Sequence, residues 1–125
     1  MKQKNVTDTE LELCSLDPIT GNYRDGYCRT GPHDHGKHVV AARMTREFLE
    51  FSRSRGNDLI SPAPLYGFPG LKAGDWWCLC IDRWMEAEKA GVAPPVNLKA
   101  TNQKALETAS ADLLKKYSIN DYGTG

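Results

Sequence analysis

The pattern of apolar and polar residues first predicts a strand followed directly by a helix. Residues 39–44 form a β-prone apolar run, and residues 46–55 carry apolar side chains on neighbouring turns. Thr45 stands between them as a helix-capping residue, and Gly56 follows as a helix terminator. This order predicts a buried strand that leads into an amphipathic helix.

The same order returns further along the chain. The run WWCLCI predicts a buried strand over 76–81, and a helix is expected over 83–90. Asp82 is the predicted cap of that helix, and Gly91 is its predicted terminator. The chain therefore contains at least two consecutive strand–helix units.

Four weaker elements complete the prediction. A short strand is expected to end near Cys14, and alternation over 96–100 predicts a strand that precedes a helix over 102–109. A last short helix follows Ser110, which can cap it. Few strands and long loops favour a small α+β domain over a parallel α/β sheet.

Two loops rich in proline and glycine separate these elements. The first, over 17–36, is long enough that something must tie it down, and the second, over 57–75, is apolar enough to cover a cleft or an edge strand. We therefore predict a small mixed β-sheet with three to four short helices and long ordered loops. The predicted boundaries are a flexible N-terminus over 1–9, a single α+β domain over 10–119 and a flexible C-terminus over 120–125.

The charge and composition of the chain argue against nucleic acid and membrane as partners. Lys plus Arg and Asp plus Glu both number 16 and alternate along the chain, so no basic stripe for nucleic acid is present. Residues 1–7 lack the apolar run of a secretory signal, and no apolar stretch is long enough to cross a bilayer. We expect a cytoplasmic protein that binds neither nucleic acid nor membrane.

The four cysteines are the leading candidates for chemistry. Cys78 and Cys80 lie one residue apart on a predicted strand and face the same side, and Cys14 and Cys28 lie in the turn-rich N-terminal part. In a reducing compartment, buried thiols, metal ligands or reactive thiols are expected more often than disulfides. If all four converge, they can hold zinc or copper. Cys78 and Cys80 are spaced too widely to be good disulfide partners for each other.

A reactive thiol is the second possibility for these cysteines. Cys80 lies just before a predicted helix, where the helix N-terminus and Arg83 favour a thiolate. His38 opens the first strand and can serve as the base or the orienting partner of a thiol, so Cys78, Cys80 and His38 are the candidate catalytic residues. His33 and His35 are expected to be solvated. Packing alone remains an alternative for every cysteine.

A polar cluster offers a different site. Asp17, Arg24 and Asp58 lie in loops, where they can lock turns or line a pocket for a small anionic or carboxylate-bearing ligand. The three tryptophans are expected to belong to the core.

The sequence resembles a bacterial domain-of-unknown-function family, number 2237, from about residue 11 to residue 117. The segments that carry the resemblance are CSLDPITG (14–21), YRDG (23–26), MTREFLEFS (44–52), GNDL (56–59), FPGL (68–71) and WCLC (77–80). The resemblance singles out Cys14, Cys28, His38, Cys78 and Cys80, and it implies no particular reaction, cofactor or partner.

The sequence also departs from the family pattern. Family members often have further cysteines where this chain has Tyr27 and Ala41, and a histidine where it has Asn102. The resemblance therefore implies that any shared site is assembled from the four thiols and His38.

The sequence is compatible with two functions, and it leaves open whether the protein is an enzyme. The first is a cysteine-centred site that binds a soft metal, zinc or copper, or performs thiol redox chemistry. The second is a non-catalytic module that binds a small molecule or a peptide while its cysteines only pack.

Overall fold

A two-stranded antiparallel sheet organises the fold in the computed structural model, which describes residues 3–119. Strand β1, His38–Arg43, pairs with β2, Trp76–Cys80. The pairing sets His38 opposite Cys80, and the register shifts between His38 and Val40. The predicted α+β class is confirmed. The sheet is antiparallel where a mixed sheet was expected, because the third predicted strand does not form.

The described residues contain three α-helices: α1, Arg46–Ser54; α2, Ile81–Lys89; and α3, Ala111–Lys116. Thr45 caps α1 as predicted, since its side chain accepts a hydrogen bond from the Phe48 N–H at 3.1 Å. Ser110 caps α3 in the same way through the Leu113 N–H.

The cap of α2 differs from the prediction. Cys80, the last residue of β2, is the N-cap, and the helix begins at Ile81. Asp82 lies inside the first turn. No linker separates β2 from α2, so the strand delivers the Cys80 thiol directly to the N-terminus of a helix.

The predicted third unit is wrong in detail. Residues 96–109 form two short 3₁₀ turns, Leu98–Ala100 and Gln103–Glu107, and the strand pairing there is limited to isolated bridges of Val96, to Ala42 and Ser118, and of Asn102, to Asn5. Asn97 and Asn102 explain this result, because each side chain accepts a hydrogen bond from a backbone N–H two residues later. Such local bonds compete with helix and strand.

The predicted strand ending near Cys14 is also absent from the described residues, where the backbone of residue 10 forms an isolated bridge with Lys4. Asn5, in the segment predicted to be flexible, is fully buried and donates to the Lys99 carbonyl at 3.0 Å. Residues 1–2 and the predicted flexible C-terminus, 120–125, lie outside the described residues.

The main core fills the space between the sheet and the helices. Trp84 is fully buried, donates its indole N–H to the Pro94 carbonyl at 3.1 Å and packs edge-on against Tyr117. Trp77 is buried as well, whereas Trp76 is half-buried. A second, smaller cluster on the sheet consists of Cys28, Ala41, Cys78 and Ala100, with Cys14 against it.

Loops cover both edges of the sheet. The Cys78 N–H donates to the side-chain oxygen of buried Thr20 at 2.9 Å, and the Ala41 N–H donates to Thr101 at 3.1 Å. These bonds satisfy strand N–H groups that would otherwise be open to pairing with another chain. The described chain holds no helix of the length and apolarity needed to cross a membrane.

Candidate functional site

A cavity of about 550 Å³ opens beside the C-terminal end of β2. His38 and Cys80, which face each other across the sheet, both line it. The two long loops supply further parts of the wall, through Arg24 from the first loop and Asp58 from the second. The cavity therefore gathers residues that are far apart in sequence.

His38 is held by a carboxylate behind it. Its Nδ1 lies 2.6 Å from Oδ1 of Asp34, and its backbone N–H donates to Oδ2 of the same residue at 3.0 Å. The Asp34 side chain is almost fully buried, whereas that of His38 is 45% exposed. With the proton on Nδ1 donated to Asp34, Nε2 is left as the basic nitrogen.

The environment keeps Asp34 ionised. Burial acts to raise the pKa of Asp34, but the hydrogen bonds and charge of His38, with a further bond from Thr30, outweigh it and lower that pKa. An ionised carboxylate at this position fixes the orientation of the His38 ring. Asp34 was not predicted from the sequence, although its spacing of four residues from His38 across a turn was available as a signal.

Cys80 is placed for thiol chemistry by two features. As the N-cap of α2 it lies at the positive end of a helix dipole, and its side chain is only partly buried. Arg83, one turn into the helix, lines the same cavity. Its guanidinium donates to the Arg55 carbonyl at 3.1 Å and contacts Glu86 at 3.3 Å.

Arg24 brings a second positive charge to the cavity. Its backbone has φ of 52°, in the left-handed region that few residues other than glycine adopt. Its guanidinium lies 5.4 Å from the centroid of the Trp77 ring and donates to the Gly21 carbonyl at 3.3 Å. The side chain is therefore positioned by a cation–π contact at the cavity wall.

The two predicted aspartates lie in different places. Asp58 lines the cavity, and its pKa is lowered by a side-chain hydrogen bond from Ser61 and by the bonds that its carboxylate accepts from the N–H groups of Ser61 and Ile60. Asp17 is exposed and is not among the residues that line this cavity. The structure thus brings Arg24 and Asp58 together without Asp17.

Three of the four cysteines meet in the small cluster beside the sheet, and one of them, Cys78, also lines the cavity. The sulfurs of Cys14, Cys28 and Cys78 all lie within 4.8 Å of one another. Cys28 and Cys78 form a disulfide with their Cα atoms 5.2 Å apart. The expectation that disulfides are less favoured than thiols is wrong for this pair, and Cys80 does not belong to the cluster.

Cys14 is a largely buried thiol, and the two remaining histidines lie on the surface. Burial raises the pKa of the Cys14 thiol to about 12, which makes it a poor nucleophile at neutral pH. His33 and His35 are exposed, as predicted.

The second loop contributes the outer wall of the cavity. Phe68 packs edge-on against Trp77 with ring centroids 5.3 Å apart, and Leu71 is buried in the main core. The tip of the loop is open, with Leu65 96% and Tyr66 81% exposed. The prediction that this loop is ordered and covers a cleft agrees with these contacts.

A comparison of the sequence with protein-family models identifies a matching family. The model described as "Uncharacterized protein conserved in bacteria (DUF2237)" matches residues 4–118. The chain belongs to the DUF2237 family. No curated protein matches the sequence. Membership in DUF2237 supplies no reaction, so function must be argued from the geometry of the site.

Proposed function

We propose that this DUF2237 protein is a thiol-centred protein in which Cys80 is a reactive nucleophile, His38 its base and Asp34 the residue that orients His38. The observation that carries the proposal is the register of the sheet. It sets His38 opposite Cys80 while Asp34 holds the far side of the imidazole at 2.6 Å. Cysteine, histidine and a carboxylate in this order form an activated thiol.

The cavity suggests the kind of molecule on which the thiol acts. Arg24 and Arg83 supply positive charge beside Cys80, and Trp77 supplies an aromatic wall. A small ligand with a carboxylate or another anionic group fits this combination, because guanidinium groups bind such groups through charge-assisted hydrogen bonds. Asp58 also lines the cavity, and its carboxylate disfavours a second negative charge on the same ligand.

The first experiment counts and locates the reactive thiol in the oxidised protein. Iodoacetamide at pH 7 should modify one thiol rapidly, and after trypsin digestion and reduction the label should be on the peptide 73–83. We expect a rate at least about 10-fold above that of an unstructured cysteine peptide, in line with thiols at helix N-termini beside cations. Modification of Cys80 at the rate of the free peptide would contradict the proposal.

A matched pair of reagents tests the ligand class. Iodoacetate carries a carboxylate and iodoacetamide does not, but both alkylate a thiolate. The ratio of their rate constants at Cys80 should exceed the ratio for a free cysteine peptide and should fall in Arg24→Gln. Arg46→Gln is the control, because Arg46 is an exposed arginine on α1 outside the cavity. Equal ratios in all three proteins would remove the anionic ligand from the proposal.

The second candidate is a module that binds the same ligand without reacting with it. Within residues 3–119 no hydrogen bond joins the Cys80 sulfur to the His38 ring, which favours this alternative. Catalytic bonds are often long before the substrate binds. Slow alkylation of Cys80, combined with protection by a bound carboxylate, would select the binding module.

We further propose that the protein is cytoplasmic and that it has no nucleic-acid partner. In the cytoplasm the Cys28–Cys78 disulfide has to resist the reducing thiol pool or exchange with it. Near-complete burial of both residues favours resistance.

A further inference from the structure

We infer that Cys14, Cys28 and Cys78 form a soft-metal site when the disulfide is reduced, and that its preferred ion is monovalent copper. One of its ligands, Cys78, also lines the cavity of Cys80, but the metal site uses different chemistry and does not rest on the proposed function. It is assembled from three parts of the chain: the N-terminal loop, the 17–36 loop and β2.

Geometry supports a shared ion. Three sulfurs bound to one metal at about 2.3 Å lie about 4 Å from one another in a trigonal arrangement. The three sulfurs here are all within 4.8 Å of one another before any adjustment. Loss of the disulfide frees Cys28 and Cys78 to move apart by rotation of their side chains. Their nearest companions in the cluster, Ala41 and Ala100, are small.

The donor set selects the metal. Thiolate ligands favour soft ions, and zinc in a structural site almost always takes four ligands. The cluster contains three sulfurs, and among the described residues no histidine or carboxylate joins them. An ion satisfied by three thiolates is therefore preferred. Cys28 and Cys78 are nearly inaccessible, so the ion enters from the side of Cys14, which is only partly buried.

The redox state of Cys28 and Cys78 decides whether the metal site can form. A dithiol reductant transfers two electrons and two protons to the Cys28–Cys78 disulfide, which becomes two thiols while the reductant becomes a disulfide. The incoming copper stays monovalent and displaces protons from the thiols that bind it. In the oxidised protein the same sulfurs are bonded to each other, so the site is closed.

The test uses the full chain, reduced with a dithiol and then freed of it under anaerobic conditions. Copper(I) supplied as its acetonitrile complex should bind at one ion per chain in competition with a chromogenic copper(I) chelator. Cys14→Ser should weaken binding by more than about 100-fold, since even changes outside the ligand shell cost about 10–100-fold. Cys80→Ser is the matched control and should bind like the wild type.

The oxidised wild type should bind no copper in the same assay. Failure of the reduced protein to bind one copper, equal affinity in Cys14→Ser, or loss of binding in Cys80→Ser would each overturn the site. Tighter binding of zinc than of copper(I) would overturn the choice of metal. None of these results depends on the alkylation rate of Cys80 in the oxidised protein, so the two proposals fail separately.

Discussion

The disulfide between Cys28 and Cys78 fastens the loop that carries Arg24 and Asp34 to the strand that ends in Cys80. A hydrogen bond from the side chain of Asn102 to the Cys28 carbonyl, at 3.0 Å, holds the same loop from the other side. The position of Asp34 behind His38 therefore depends on contacts made by Cys28, which does not line the cavity.

Removal of this disulfide should cost much of the stability of the fold. Cys28 and Cys78 are 50 residues apart in sequence, and closing a loop of that size stabilises a protein by about 4 kcal/mol in the chain-entropy account. The double variant Cys28→Ser, Cys78→Ser should show this loss in urea unfolding, relative to wild type under oxidising conditions. Cys80→Ser serves as the control. An unchanged urea midpoint in the double variant would mean that the loop is held by its hydrogen bonds alone.

Ionised Asp34 should stabilise the folded protein, and this stabilisation should be lost at low pH. Its pKa is lowered in the folded protein, so its contribution is complete above the ordinary aspartate value of about 3.9 and is lost as pH falls through the lower, folded value. Asp34→Asn should cost about 1–3 kcal/mol at pH 7, because buried hydrogen bonds to a charge are lost. The difference from wild type should shrink below about pH 4 in urea unfolding.

Other acidic groups contribute equally to the stability of wild type and of Asp34→Asn, so they do not affect the difference between the two proteins. Asp58 and Glu107 also have lowered pKa values, but both remain in the variant. A difference in stability that stays constant from pH 7 to pH 3 would contradict the role given to the Asp34 charge.

Leu79 tests the burial of β2. Its side chain is 2% exposed in the main core, so Leu79→Asp should unfold the domain by placing an unpaired charge in hydrocarbon. Leu65→Asp is the matched control, because Leu65 is 96% exposed, and its stability should change by less than about 0.5 kcal/mol. Circular dichroism and thermal melting measure both. Similar melting of the two variants would refute the strand assignment.

Cys14 should react slowly. With its pKa raised to about 12 by burial, its alkylation by iodoacetamide should rise about tenfold per pH unit between pH 8 and pH 10. The label is measured on the tryptic peptide 5–24, apart from the peptide 73–83 that reports Cys80. A rate for Cys14 that levels off near pH 9 would show that the thiol is more exposed to water than this structure has it.

The sequence predicted the elements whose signals are local. Thr45 and Ser110 cap their helices as expected, and the apolar runs at 39–44 and 76–81 contain most of the two paired strands, His38–Arg43 and Trp76–Cys80. Residues 96–109 could not be predicted in this way, because the side chains of Asn97 and Asn102 bond to nearby backbone and convert a strand–helix pattern into 3₁₀ turns.

The site was only partly predictable for a different reason. His38 and Cys80 were identified from their positions at a strand start and a helix start, which are local features. The pairing of Cys28 with Cys78 depends on how a 50-residue loop closes, and sequence alone does not determine disulfide connectivity. Asp34 was not predicted because its carboxylate reaches the His38 ring only once the turn between the two residues has folded.

The most direct test of the activated thiol is the rate of Cys80 alkylation in His38→Gln, with His33→Gln, His35→Gln as the control for loss of imidazole in general. We expect His38→Gln to slow the reaction at pH 7 by at least about 10-fold, a small part of the roughly 10²–10⁴-fold that a positioned base contributes. The double control should react like wild type, because His33 and His35 are exposed. Equal rates in wild type and in a folded His38→Gln protein would contradict the account.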